Sequence, residues 1–125
     1  MRMTKQREII LETLAKRIDH PGADDLYSAV RLRSPKISLG TVYRNLEVLA
    51  EAGTINRLYF FGQKRFDANI APHHHFYCTT CGKIEDIPLD IEIPSLDPND
   101  NWVKQREITG ATLVYFGLCS ECSCS

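Results

Sequence analysis

No stretch of this chain comes near the ~18 consecutive apolar residues that a membrane helix needs. Nothing at its start reads as an export signal either, because Met1-Arg2-Met3-Thr4-Lys5 runs into charged residues rather than an apolar region. A cytoplasmic protein without membrane association is expected. Internal repeats and low-complexity tracts are missing, and a composition of 43% hydrophobic and 25% charged residues excludes a disordered chain. At 125 residues and 14.2 kDa the chain holds one domain or two very small ones. Net charge is almost absent as well, at −1.

That near-neutral sum conceals a division. Residues 1–66 carry 12 Lys/Arg against 7 Asp/Glu, whereas residues 67–125 carry 3 against 9. A basic half followed by an acidic half predicts two lobes with different partners. We place the division between 67 and 68, giving a first domain over 1–67 and a second over 68–125.

The first lobe reads as three helices and a hairpin. Thr4 caps a helix with Ile10, Leu11, Leu14 and Ile18 on its inner face, and His20-Pro21-Gly22 interrupts the chain after it. Asp24 and Asp25 open a second helix that closes at Arg31 and Arg33, the charge order that suits a helix dipole. Ser38 caps a third, with Val42, Leu46 and Leu49 as its stripe and Gly53 at its end. This stripe turns Gly40, Thr41, Arg44, Glu47 and Glu51 outward, with Tyr43 and Asn45 at the flanks. Strand-like runs at 55–60 and 64–67 meet around Gly62. Three helices followed by a hairpin is the order of a winged helix, whose third helix enters the DNA major groove. A merely solvated third helix would give the same pattern.

Five cysteines without an export signal point to metal or redox chemistry rather than a disulfide framework. Cys78-x-x-Cys81 and Cys119-x-x-Cys122 form two turns, each able to aim two sulfurs at one ion, and together they complete a tetrahedron for a structural Zn²⁺. Gly82 suits the first turn because glycine tolerates a left-handed backbone. A thioredoxin-like redox role would need a βαβ pattern that is absent. Cys124 is left over as a spare thiol. A second cluster comprises Asp67, His73, His74, His75, Glu85 and Asp86. On a strand, His73 and His75 share one face and His74 takes the other. Imidazole with carboxylate suits Fe²⁺, Mn²⁺, Co²⁺ or Zn²⁺, although a surface strand could carry the same residues. Residues 89–101, rich in Pro and Asp, promise little helix. Residues 112–117 read as a strand.

Four ordered motifs resemble the ferric uptake regulator family: Arg2-x-Thr4-x-Gln6-Arg7, His20-Pro-x-Ala-Asp-Asp-Leu-Tyr27, Ser38-Leu-Gly-Thr41-Val-Tyr43-Arg44-Asn-Leu46, and His73-His74-His75-Phe-Tyr-Cys78-Thr-Thr-Cys81-Gly82. The resemblance implies an α+β protein, with an N-terminal winged-helix DNA-binding domain followed by a small α/β zinc-stabilised dimerisation domain. It implies a homodimeric metal-dependent repressor of a palindromic double-stranded DNA operator. The structural zinc would fall on Cys78, Cys81, Cys119 and Cys122. A regulatory Fe²⁺ or Mn²⁺ would fall on His20, Asp67, His73, His75 and Asp86. DNA contacts would come from Ser38, Thr41, Tyr43 and Arg44, and no catalytic residue is implied.

Aspartate at both 67 and 86 is similar to the peroxide-sensing branch, where iron-catalysed oxidation of ligand histidines, here His20 and His73, relieves repression. An iron, manganese or zinc uptake regulator of the same family is the alternative. Compared with longer members, the chain starts almost at Arg2, so a basic N-terminal arm is not expected. The Pro-rich 88–101 stretch stands where a helix is usual. No histidine occurs near Ala111, so a third metal site would be incomplete despite His74.

Outside the family stand a hydrolytic metalloenzyme and a zinc-stabilised protein-interaction module. Zinc deaminase chemistry would need a Glu two residues after a ligand histidine and a Pro-Cys-x-x-Cys, and neither occurs.

Overall fold

Side-chain oxygens of Thr4 and Ser38 accept hydrogen bonds from Arg7 N and Thr41 N, which sets the first turns of helices α1 (Lys5–Ala15) and α3 (Leu39–Glu51). Between them lies α2 (Ala23–Val30). The three helices bury Ile10, Leu14, Leu26, Val30, Val42, Leu46 and Leu49 against one another. Hairpin strands β1 (Asn56–Phe60) and β2 (Gln63–Asp67) close this core with Phe66 and with Ile55 just before β1. Both residues of the hairpin turn, Phe61 (φ 49°) and Gly62 (φ 81°), are left-handed, as a two-residue turn matching the strand twist requires. Gly53, also at positive φ, ends α3 as its sequence position predicts.

The structure is a computed structural model that describes residues 1–71 and 73–123. The helices and hairpin belong to a compact unit, Met1–Ala71, and the residues from 73 onward form another. Beyond β2 the first unit continues through side-chain-capped turns, in which Asn69 N donates to Asp67 Oδ1 and Ala71 N donates to Asn69 Oδ1. Two expectations fail in this unit. Ile18 is exposed rather than part of the inner stripe, because α1 stops at Ala15 and the chain beyond it no longer follows the helical period. The second helix ends at Val30, so Arg31 is its C-cap and Arg33 lies in the turn beyond it.

In the second unit a three-stranded sheet has the order β4-β3-β5, with β3 (His75–Cys78), β4 (Ile84–Asp86) and β5 (Val114–Gly117). β3 and β4 are antiparallel, whereas β3 and β5 are parallel. The parallel pairing forces a long crossover through residues 87–113. Its sole helical segment among the described residues is one turn, α4 (Asn101–Lys104), where Asp100 accepts from Trp102 N and the Arg106 guanidinium lies 4.0 Å from the Trp102 ring centroid. The Pro-rich stretch carries no helix before Asn101, in keeping with its prolines. A last short helix, α5 (Ser120–Ser123), follows β5. No helix of the described residues is long and apolar enough to cross a membrane.

Candidate metal centres and nucleic-acid interface

The knuckle after β3 is built by backbone bonds. Gly82 N donates to Cys78 O and Cys78 N donates to Lys83 O, with Gly82 at φ 77°. Parallel pairing opposes Cys78 to Gly117, and Thr79 N donates to Gly117 O, so the turn after β5 arrives beside the first knuckle. As a result one sulfur from each of Cys78, Cys81, Cys119 and Cys122 lies within 4.8 Å of the others. Cys81 and Cys119 are 3.8 Å apart, Sγ to Sγ. A tetrahedron with Zn–S bonds of ~2.3 Å has edges of ~3.8 Å, so the spacing fits zinc.

Backbone N–H groups of Cys81 (3.5 Å) and Cys119 (3.4 Å) donate to Cys78 Sγ. They hold its pKa down at about 6, and it is ready to bind as thiolate. Hydrogen bonding with Cys119 and then Cys78 pushes Cys122 up to about 12. Four crowded sulfurs resist becoming four anions until a cation is present. The spare thiol read at Cys124 lies outside the described residues.

In the first unit, His20 and Asp67 meet. Pro21 O accepts from Phe66 N, and His20 O accepts from the Arg65 guanidinium at 3.3 Å, so the 20–22 segment runs alongside β2. A Cβ at Gly22 would come within 3.4 Å of Lys64 O, which explains the glycine in this close approach. His20 Nε2 lies 3.2 Å from Asp67 Oδ2, and both residues are buried. His20 holds φ at 53°, although it precedes a proline, which ordinarily favours extended backbone.

In the second unit, register places His75 opposite Asp86. Asp86 Oδ1 lies 3.0 Å from His73 Nε2 and 3.4 Å from His75 Nε2, and the two rings are 4.4 Å apart between centroids. His73 precedes β3 rather than lying on it, yet it reaches the same carboxylate as His75. Glu85 points elsewhere and pairs with Lys83 at 3.4 Å. His74 has a different task. Its Nδ1 accepts from Leu113 N at 2.9 Å, so its proton sits on Nε2 and it clamps the strand entering β5.

On α3 the hydroxyls of Ser38 and Thr41 bond each other, and Thr41 Oγ1 accepts from the Arg44 guanidinium at 3.1 Å. Tyr43 and Arg44 are exposed. Sequence reasoning overlooked two residues. Lys64, on β2, donates to Tyr43 Oη and to Glu47 Oε1, both at 2.8 Å. Arg57, on β1, meets Glu47 Oε2 at 2.8 Å. Glu47 on the outer face was a visible signal, but its hairpin partners depend on tertiary placement. Asn45, read as a flanking residue, is buried. It accepts from Arg7 Nε at 3.0 Å and donates to Thr41 O at 2.8 Å, fixing α1 to α3.

The model of the ferric uptake regulator family matches residues 1–111. This chain belongs to the ferric uptake regulator family. It is a metal-dependent repressor of that family, whose members bind DNA as homodimers. The peroxide operon regulator of Bacillus subtilis is 38% identical, the alignment covering 98% of this chain and 85% of that protein. A Campylobacter jejuni peroxide stress regulator has a similar structure, with 30% identity and a TM-score of 0.68 over 94% of this chain and 88% of the other. The Helicobacter pylori ferric uptake regulator, whose structure reveals three functional metal-binding sites, aligns at 25% identity with a TM-score of 0.75, covering 98% and 83%.

Proposed function

We propose that this chain is a cytoplasmic, homodimeric repressor of a palindromic operator, and a regulator rather than an enzyme. In this reading Cys78, Cys81, Cys119 and Cys122 hold a structural Zn²⁺. His20 and Asp67 of the first unit, with His73, His75 and Asp86 of the second, take one Fe²⁺ or Mn²⁺ as a three-nitrogen, two-oxygen set. The observation that carries this is that each unit presents a prepared fragment of such a set, a His–Asp pair in one and a His–His–Asp group in the other. Five residues alone separate Asp67 from His73 in sequence, which keeps the fragments tethered. Neither fragment supplies the four or more ligands these ions take, so an ion that uses both ties the winged helix to the dimerisation unit. In a dimer, that link fixes the separation of two recognition helices, which decides whether both half-sites are reached together.

The two short carboxylates Asp67 and Asp86, and the likeness to peroxide regulators, support peroxide as the signal. Bound Fe²⁺ supplies the redox chemistry. One oxygen of H₂O₂ ends on an imidazole carbon of His20 or His73 and the other leaves as water, and an oxidised ring then ligates poorly. The test is anaerobic loading with Fe²⁺ or Mn²⁺, DNA binding before and after stoichiometric H₂O₂, and peptide mass spectrometry. DNA release with one added oxygen on His20 or His73, in the Fe²⁺ form alone, is expected. Release without histidine oxidation, or equal behaviour with Mn²⁺, would make the chain a metal-uptake regulator of the same family.

A further inference from the structure

The contacts of Glu47 assign it a role that the metal switch does not use. One carboxylate takes two cations from the hairpin, Lys64 on Oε1 and Arg57 on Oε2, each at 2.8 Å, with Glu47 and Lys64 half-buried and Arg57 at the exposed edge. Lys64 Nζ also donates to Tyr43 Oη at 2.8 Å, 5.1 Å from the centre of that ring. An ammonium has no lone pair, so at this bond the tyrosine oxygen is the acceptor. The phenol hydrogen is consequently available to be donated elsewhere, and the neighbouring cation polarises it to be donated more strongly. Tyr43 itself is exposed on the first half of α3, the half that reaches base edges in helix–turn–helix docking.

We propose that Glu47 is a specificity-determining positioning residue. By fixing Lys64 on the Tyr43 hydroxyl, it makes Tyr43 a hydrogen-bond donor to an acceptor on a base edge, a thymine O4 or a guanine O6 or N7. By occupying Lys64 and Arg57, it also withholds two positive charges from the phosphates. Non-specific binding is driven by such charges, so the carboxylate lowers affinity for arbitrary DNA while sharpening the reading of one base. Hydrogen bonding to Glu47, and then to Tyr43, raises the pKa of Lys64 further, so this cation stays charged throughout the working range. The inference rests on the reading of α3 as the DNA-recognition helix.

The experiment uses the full-length metal-loaded protein and the duplex it selects from a randomised pool, with single-base variants and a scrambled duplex. Tyr43→Phe is expected to lose ~5–30-fold on the selected duplex and to lose discrimination at one position of each half-site, with the scrambled duplex bound as before. Glu47→Gln is expected to lose the same discrimination, to bind the scrambled duplex several-fold more tightly, and to steepen the dependence of log affinity on log salt by ~1–2. In the Tyr43→Phe background, Glu47→Gln should change no base preference further, whereas with Tyr43 intact Glu47→Asp should keep part of the discrimination that Glu47→Gln loses. Uniform weakening by Glu47→Gln in step with a lower unfolding temperature would reduce the residue to a structural brace and overturn the proposal. So would full discrimination by Tyr43→Phe, or equal loss on every duplex, which would mark the acceptor as a phosphate. A wild-type protein that selects no duplex would overturn the recognition-helix reading, and this proposal with it.

Discussion

His20 lies with its Nε2 3.2 Å from Asp67 Oδ2 while its own backbone is held left-handed at φ 53°. A non-glycine residue in that region costs ~1–3 kcal/mol unless its surroundings impose it. Here the Phe66 N–H on Pro21 O and the Arg65 guanidinium on His20 O do so. His20→Ala keeps the backbone penalty and removes the imidazole, whereas His20→Gly removes both. Both variants should fold and retain zinc but lose metal-stimulated DNA binding. His20→Gly should be the more stable of the two, by up to ~1 kcal/mol. Thermal unfolding beside DNA titrations with and without Mn²⁺ checks the pair. Metal-stimulated binding at the wild-type level in either variant would remove His20 from the regulatory set.

Zinc removal should act on the second unit alone. Cys78→Ser or Cys119→Ser should cost the tightly held zinc equivalent and melt the β4-β3-β5 sheet, since a structural zinc contributes ~10–16 kcal/mol in peptide systems. The first unit has its own core of three helices and a hairpin, and its helical circular dichroism should persist. Metal analysis with circular dichroism decides the matter, and a dimer of normal stability without zinc would contradict it.

The thiol ionisations make a prediction about protons. In the folded cluster Cys122 is pushed up to about 12 and Cys81 is raised, and in a melted sheet both return to the ordinary thiol value of ~8.5, so in either state both thiols are protonated at pH 7. Zinc needs thiolates, so its uptake must release those protons. Zinc affinity should therefore rise with pH between 6 and 8. Cys78, held at about 6 in the folded knuckle, is mostly thiolate at neutral pH and adds to that slope only near its lower end. Calorimetry in buffers of different ionisation enthalpy measures the release, and zinc uptake without protons would refute it.

Arg44 donates to Thr41 Oγ1, and its Nη1 would sit 3.4 Å from a Cβ placed at Gly40, so its guanidinium folds back towards the start of α3. From there it is expected to reach a guanine edge. Arg44→Ala should cost ~1–3 kcal/mol and relax one position of each half-site. Binding measured across single-base operator variants distinguishes this from a phosphate contact, which would weaken every sequence alike.

Much of the first unit was legible because its signals are local. Thr4, Ser38 and Gly53 mark helix ends by what their own side chains or backbones do within a turn, and Val42, Leu46 and Leu49 repeat at helical spacing. Ile18 misled because periodicity alone does not show where a helix stops. The cysteine pairs were legible as pairs, since each is a single turn. What brings them together, the parallel register of Cys78 with Gly117, joins segments far apart in sequence and leaves no local trace. His74 looked like its neighbours in composition, and its bond to Leu113 N sets it apart. The Lys64–Tyr43–Glu47 network was hidden for the same reason, because a hairpin must fold onto a helix before those residues meet.

The parallel pairing of β3 with β5 also sets an order of events during synthesis. Every strand and helix of the winged unit lies within residues 1–71, so that unit can form while the rest of the chain is still emerging from the ribosome. The second sheet has no such freedom. β3 can pair with β4 at once, but its other edge waits for residues 114–117, and the sulfurs of Cys78 and Cys81 wait for Cys119 and Cys122. At ~5–20 residues per second that interval lasts a few seconds. Through it, two thiols and an unpaired strand edge stand exposed to oxidants in the nascent chain.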